Sequence, residues 1–216
     1  MDTGIMIRTL PILLKGSIMT VELTVITLIL GTLLGIALAL FKLSKNKILK
    51  IISGFYTWIF RGTPLLLQLF FFYYGLPFIG LKLNPFQAAV IGLSLNCGAY
   101  MAEIIRGGIQ SIDKGQFEAA KALGFNYNET MRKIILPQTF KVIIPPVGNE
   151  FIAMLKDTSL VSTIAMVELM RSAQQMYAST FKPIEIFLTA GILYLLMTTI
   201  FTAVFSIFEK KLSVYE

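Results

Sequence analysis

The sequence predicts an all-α integral membrane protein with five transmembrane helices, and three observations support this class. Of the 216 residues, 56% are hydrophobic and 14% are charged, whereas a soluble domain carries about 25% charged residues. Five apolar segments are long enough for the hydrocarbon core, which takes about 20 helical residues. Basic residues concentrate in alternate connections between these segments. We expect a single transmembrane domain over residues 1–216, with spans near 19–42, 53–78, 84–107, 142–166 and 186–209 and a polar loop at 108–141.

The first two spans have distinct local features. Leu23 to Phe41 contains no charge and forms span one, and Gly31 and Gly35 give it a GxxxG spacing that allows close helix contact. Ahead of it, we expect an interfacial segment from Ile5 to Leu14, broken by Pro11, and not a cleaved signal.

The second apolar segment is interrupted by Arg61-Gly62-Thr63-Pro64. This sequence predicts a break near Pro64, after which span two continues through the aromatic run Phe70 to Tyr74. A break at membrane depth frees backbone groups, and protein or water at a cavity must then satisfy them.

The distribution of positive charge predicts the orientation. Four basic residues lie between spans one and two, six from Arg106 to Lys141 and two at the C-terminus, against five on the opposite side. By the positive-inside rule, the N-terminus is outside, and the C-terminus and the 108–141 loop are in the cytoplasm. The formal charge of +7 thus reflects topology and not nucleic acid binding.

Residue usage excludes several kinds of chemistry. The chain has no histidine, which removes the usual general base and the commonest metal ligand. Its single cysteine, Cys97, rules out an intrachain disulfide. No Gly-Lys-Ser or Gly-Lys-Thr occurs, so there is no P-loop. We expect a non-catalytic chain without a metal or a cofactor of its own.

The polar stretch 111–137 predicts a hairpin of two short helices. Asp113 and Asn126 each begin a capping-box pattern, with Gln or Glu three residues later. Gly124 lies between the helices and is expected in a left-handed conformation, and Pro137 should end or kink the second helix. The small residues Ala119-Ala120 suggest a flat face suited to docking against another protein.

These residues carry a resemblance to a known family. Glu118-Ala119-Ala120, Gly124 and Leu136-Pro137 resemble the EAA loop of ABC importer permeases, whose coupling helix sits in a cleft of a cytoplasmic ATPase. Other stretches resemble the polar amino acid branch, which includes histidine, glutamine and arginine permeases: Arg61–Leu65, Ser94–Asn96, Ala102–Gly108, Gly148–Phe151 and Leu155–Leu160. The resemblance implies ATPase-coupling roles for Glu118, Ala119, Ala120, Leu123 and Gly124.

Polar residues near the predicted midplane outline a substrate cavity. Asn96, Tyr100 and Glu103 share one face of span three, and Glu150 and Asp157 share one face of span four. Backbone amides of a half-helix beginning at Thr158, or those near Pro64, would bind a substrate carboxylate, with Arg61 as the side-chain alternative. The candidate substrate-binding residues are Glu103, Asp157, Asn96, Tyr100, Thr158, Ser159, Arg61, Thr63, Gln68 and Glu150.

Each of these residues also has a structural interpretation. Glu103 would instead pair with Arg106 or Lys156, Asn96 and Gln68 would bond neighbouring helices, and Glu150 would lock two subunits together. Lys156 would alternatively neutralise Asp157. If Glu103 or Asp157 stays unpaired, the cavity keeps negative charge, which favours a basic or polar substrate such as arginine, lysine, histidine or glutamine.

The resemblance implies the permease subunit of an ATP-driven amino acid importer in the bacterial inner membrane. Its partners would be the lipid bilayer, ABC ATPase subunits that hold ATP and Mg²⁺, a second identical or similar permease, and an extracellular solute-binding protein. Two other classes stay open: an ion- or proton-coupled secondary transporter with carboxylate carriers, and a membrane scaffold. Neither has a use for the 113–137 hairpin.

Overall fold

The computed structural model describes residues 2–213, which form helices throughout. Its α-helices are α1 (Thr3–Leu43), α2 (Lys47–Gly62), α3 (Leu65–Phe70), α4 (Pro85–Ser111), α5 (Lys114–Ala122), α6 (Tyr127–Thr130), α7 (Leu136–Asp157), α8 (Leu169–Thr180) and α9 (Pro183–Ser213). π-helical turns occur at Phe71–Gly75 and Met131–Ile135, and 3-10 turns occur at Leu76–Ile79 and Thr158–Ile164. No strand is present within the described range.

Three of these helices, α1, α4 and α9, are long and apolar enough to cross a membrane. Helix α2 and the segment Leu65–Ile79 meet the same length and hydropathy requirement when they are taken together as one span, which is bent by 102°. Helix α7 has 22 residues, but it includes Lys141, Glu150, Lys156 and Asp157 and is not among them. The structure thus confirms an all-helical fold with several helices that could cross a membrane, and the count of five spans stays a prediction.

The predicted break at Pro11 is wrong, because α1 is one helix of 41 residues that contains this proline. Its first turn is capped by Asp2, whose carboxylate accepts from the backbone N–H groups of Gly4 and Ile5. Two residues after the proline, Leu13 is fully buried in a cluster with α8 and α9. Packing therefore holds the helix continuous where one backbone hydrogen bond is missing.

Close packing of α1 against α4 forms the centre of the bundle. A Cβ atom on Gly31 would lie 2.6 Å from Cys97 Sγ, and one on Gly35 would lie 2.6 Å from Met101 Cβ. The two contacts advance by four residues on both helices, so α1 and α4 run in the same direction. The close contact predicted from the GxxxG spacing is confirmed.

Helix boundaries near the 108–141 loop differ from the predicted ones. Helix α4 continues to Ser111, and α7 begins at Leu136 and contains Pro145 and Pro146 in its interior. The paired prolines therefore do not open the helix. Further along, Gly148 packs against Phe205 of α9, with a Cβ-to-Cγ distance of 2.9 Å for a built Cβ.

Most of the structural features predicted for the 113–137 hairpin are present. Asn126 and Glu129 form a reciprocal capping box with distances of 3.0 Å, and Gly124 has φ +82°, so both predictions are confirmed. Asp113 caps α5 by accepting from Gly115 N–H. Its predicted capping box is incomplete, because the Gln116 side chain accepts from Gln138 instead.

Pro137 does not end a helix. It lies in the first turn of α7, directly after the π-helical turn Met131–Ile135. Proline lacks the N–H that would bond the carbonyl four residues earlier and its ring crowds that carbonyl, so the wider turn precedes it. The hairpin and α7 are thereby joined by continuous helical backbone.

Glu168 ties three helices together on the side opposite the hairpin. Its fully buried carboxylate accepts from Thr20 of α1, Tyr194 of α9 and the N–H groups of Met170 and Arg171 at the start of α8. Burial raises the pKa of this carboxyl, and the four hydrogen bonds act against that shift. Sequence reasoning missed this residue, although a Glu before a helical segment is a capping signal.

Candidate functional site

The break between α2 and α3 is held by side-chain amides. The carbonyl of Phe60 would accept from the N–H four residues later, but that residue is Pro64, which has none. Gln68 Nε2 lies 3.0 Å from this carbonyl, 3.1 Å from the Thr63 carbonyl and 2.8 Å from Thr63 Oγ1. The Phe60 carbonyl freed by the break is therefore satisfied inside the protein.

Asn96 of α4 completes this network. Its Nδ2 lies 3.0 Å from the Phe60 carbonyl and 3.0 Å from Gln68 Oε1. Both amides are buried, with Asn96 6% and Gln68 7% exposed. Their donors are engaged within the chain, which is the structural interpretation proposed for these two residues. Thr63 likewise donates to the Ile59 carbonyl at 2.8 Å.

Glu103 is surrounded by positive charge. It accepts from the Lys42 ammonium, and its Oε2 lies 2.9 Å from Arg106 Nε and 2.7 Å from Arg106 Nη2. Arg61 Nη1 lies 3.9 Å from its other oxygen. Lys42 also donates to Thr57 at 2.6 Å. The carboxylate thus joins α1, α2 and α4, and three cations offset its charge.

Of the two pairings considered for Glu103, the structure shows the one with Arg106. The contact with Lys42 was not anticipated, because Lys42 was counted only among the basic residues of a cytoplasmic connection. Lys156 forms no ion pair with Glu103 in the part of the chain that the structure describes.

A second group of predicted site residues is partly or fully exposed at the surface of the chain. The Arg61 guanidinium lies 5.4 Å from the centre of the Tyr100 ring, and 44% of the Arg61 side chain is exposed. On α7, the carboxylates of Glu150 and Asp157 make no hydrogen bond or ion pair within residues 2–213. Glu150 is close enough to Asp157 and Arg61 for their charges to act on it, and Asp157 is likewise beside Lys156.

The predicted half-helix at Thr158 is wrong. Helix α7 passes directly into the 3-10 turn Thr158–Ile164, so no open helix N-terminus forms there. Thr158 is fully buried and donates to the Leu155 carbonyl at 2.7 Å, while Ser159 is half-buried. The next α-helix begins only at α8. The backbone amides near Thr158 are therefore not available to bind a substrate carboxylate.

The coupling candidates lie on the polar hairpin and differ in exposure. Glu118 and Ala119 are exposed, and Leu123 is 76% exposed. Ala120 is only 1% exposed, so it packs within the hairpin and the predicted flat Ala119-Ala120 face is not presented as a pair. The apolar surface that the hairpin does present is that of Leu123 and Tyr127, the latter 70% exposed.

Residues 31–214 match the family model for the inner membrane component of binding-protein-dependent transport systems. The chain belongs to this permease family. It is 43% identical to the arginine transport system permease protein ArtQ of Bacillus subtilis, over 98% of this chain and 97% of ArtQ. It is 41% identical to a putative glutamine transport system permease protein, GlnP, of Rickettsia bellii, over 94% and 93%. With the L-cystine permease TcyB of B. subtilis it shares 41% identity over 95% and 88%.

Solved structures agree with this assignment. A crystal structure of an amino acid ABC transporter with histidines matches with a TM-score of 0.94 and 40% identity, over 98% of this permease and 99% of that chain. The inward-facing methionine transporter MetNI matches with a TM-score of 0.79 at 17% identity, over 95% and 98%, which shows a shared fold alone. The resemblance to amino acid ABC permeases is confirmed.

The contacts of Glu103 predict that it acts mainly in folding. Glu103→Gln should destabilise the permease by about 1.5–3 kcal/mol, the cost of charged hydrogen bonds, because Lys42 and Arg106 lose their counter-charge. Thermal unfolding in detergent measures this loss. Adding Lys42→Met to Glu103→Gln should recover part of it, since one unpaired cation is removed. Unchanged stability of Glu103→Gln would contradict the assignment.

Proposed function

We propose that this permease spans the bacterial inner membrane five times, with its N-terminus outside, and imports polar, basic amino acids in an ATP-driven complex. The observation that carries the proposal is the open acidic pair on α7. Glu150 and Asp157 have no ion-pair partner among the described residues, and they lie on a helix placed inside a membrane bundle.

Charge exposed to hydrocarbon is costly, so this side of α7 faces water or protein. Asn149 and Lys156 are exposed on the same helix, which extends the polar surface. A second permease, identical or similar, would cover it and leave an aqueous path between the two chains. Arg61 and Tyr100 would line that path from α2 and α4.

The charges of the open group favour a cationic substrate. Glu103 is already offset by its three basic neighbours, so it contributes little attraction. The Glu150 and Asp157 carboxylates form no ion pair with the neighbouring Arg61 or Lys156, so both stay available to a cationic side chain. A guanidinium or ammonium side chain would be held by the carboxylates, and Arg61 would hold the α-carboxylate.

Two further partners follow from the family. A solute-binding protein would deliver the amino acid from outside, and a separate ATPase would hold ATP and Mg²⁺ in the cytoplasm. The 113–137 hairpin would dock on that ATPase through Glu118, Leu123 and the exposed helix surface beside them. Its continuous helical connection to α7 gives the hairpin a direct mechanical route to the open acidic pair.

The substrate class can be tested by competition. In proteoliposomes with the ATPase and the binding protein, unlabelled arginine should inhibit labelled arginine uptake at concentrations about 10–100-fold lower than glutamate, the factor for one charged hydrogen bond. Lysine, histidine and glutamine should compete better than glutamate. Equal competition by glutamate and arginine would contradict the charge argument.

Coupling can be tested at Gly124. Its φ of +82° costs a residue with a Cβ about 1–2 kcal/mol, and most of all a β-branched one. Gly124→Val should therefore weaken copurification of the ATPase or uncouple hydrolysis from uptake. Gly124→Asn is the matched control, because asparagine tolerates the left-handed region, and it should keep both. Normal coupling in Gly124→Val would overturn the assignment.

A further inference from the structure

Helix α2 presents two chemically different faces. Ser53 and Thr57 are buried and bond toward α1, with Ser53 donating to the Leu38 carbonyl at 2.8 Å and Thr57 accepting from Lys42. The opposite face is apolar and exposed, at positions spaced by three and four residues that form one helical stripe. The stripe consists of Ile48, Ile51, Phe55 and Trp58, each 60–70% exposed.

Three free lysines stand at the beginning of this helix. Lys45, Lys47 and Lys50 are exposed and form no ion pair or side-chain hydrogen bond in the part of the chain that is described. Lys42, by contrast, turns inward to Glu103. No aspartate or glutamate occurs in the sequence between Glu22 and Glu103, so no acidic residue of this stretch offsets the charge of the three lysines.

The three lysines are expected at the membrane surface. They follow directly after the charge-free Leu23 to Phe41 stretch of α1, where that helix leaves the apolar region. From there α2 runs back along the bundle, since Ser53 bonds Leu38 and Tyr56 bonds the Leu95 carbonyl of α4. Trp58 lies about 16 Å along the helix from Lys47 at 1.5 Å per residue, close to half the thickness of a hydrocarbon core of about 30 Å.

We propose that this surface, comprising the three lysines and the apolar stripe of α2, is a binding site for acidic phospholipids. The lysine ammonium groups would contact the phosphate of the headgroup, and the acyl chains would lie along Ile48, Ile51, Phe55 and Trp58. Clustered lysines next to a membrane helix attract anionic lipid, and each lysine increases the affinity for that lipid by about fivefold. A phosphate in solution lacks the acyl chains and would not use the apolar stripe.

Trp58 provides the readout, because it is the only tryptophan in the chain. The full-length permease is reconstituted in mixed phosphatidylcholine and phosphatidylglycerol bilayers in which one of the two lipids carries brominated acyl chains, which quench tryptophan on contact. The quenching of Trp58 by brominated phosphatidylglycerol should correspond to a local phosphatidylglycerol fraction about fivefold or more above the fraction in the bilayer. Replacing chloride by inorganic phosphate at equal ionic strength should leave this preference unchanged.

The variants identify the lysines as the cause. Lys45→Gln/Lys47→Gln/Lys50→Gln should quench equally with the two brominated lipids. Lys114→Gln/Lys121→Gln/Lys211→Gln removes three exposed charges elsewhere and should keep the wild-type preference.

Several results would overturn the proposal. Equal quenching by both lipids in the wild type would show no selectivity, and preference retained in the first triple variant would show that these lysines are not the cause. Absence of quenching by either lipid would show that a second copy or another protein covers α2. Loss of preference in phosphate buffer would assign the lysines to free phosphate.

Discussion

The hydrogen bonds at the Phe60 carbonyl are the interaction on which the arrangement of this bundle depends. Pro64 removes the backbone donor for that carbonyl, and a break in the hydrocarbon region has no bulk water to replace it. Gln68 and Asn96 provide the donors from α3 and α4. Helix α2 meets the segment Leu65–Ile79 at 102°, and because these amides hold the bend, they also fix where Arg61 lies next to Tyr100 and Glu103.

The polar residues inside the bundle consequently divide into two sets. One set, including Gln68, Asn96 and Glu103, satisfies backbone carbonyls and basic side chains and stabilises the helix arrangement. The other set, Glu150 and Asp157, forms no ion pair within residues 2–213. Buried or membrane-embedded charge without a partner is rare unless function requires it, and the second set is therefore where a transported cation would be bound.

Local sequence rules predicted those features that depend on one residue and its neighbours in sequence. Gly124, the Pro64 break and the Gly31–Gly35 spacing are examples, because backbone sterics decide each of them. Pro11 and Pro145 were misread, since packing of neighbouring helices overrides the usual proline signal. The contact of Lys42 with Glu103 joins helices distant in sequence, and no pattern along the chain indicates it. Five of the substrate candidates lie on α4 and α7, as the spacing predicted, but only the folded chain distinguishes candidates that are bonded to other side chains from those that are not.

The distinction between stabilising polar residues and substrate-binding carboxylates is tested most directly by two variants, Gln68→Leu and Asp157→Asn. Substrate preference and thermal stability are both measured for each variant in the assembled importer. The account predicts that Gln68→Leu lowers stability by about 1–3 kcal/mol per unsatisfied carbonyl and leaves the arginine-to-glutamine preference of the remaining activity unchanged. Asp157→Asn should keep wild-type stability and shift that preference toward glutamine. A stable Gln68→Leu variant with altered preference, or an unchanged preference in Asp157→Asn, would contradict it.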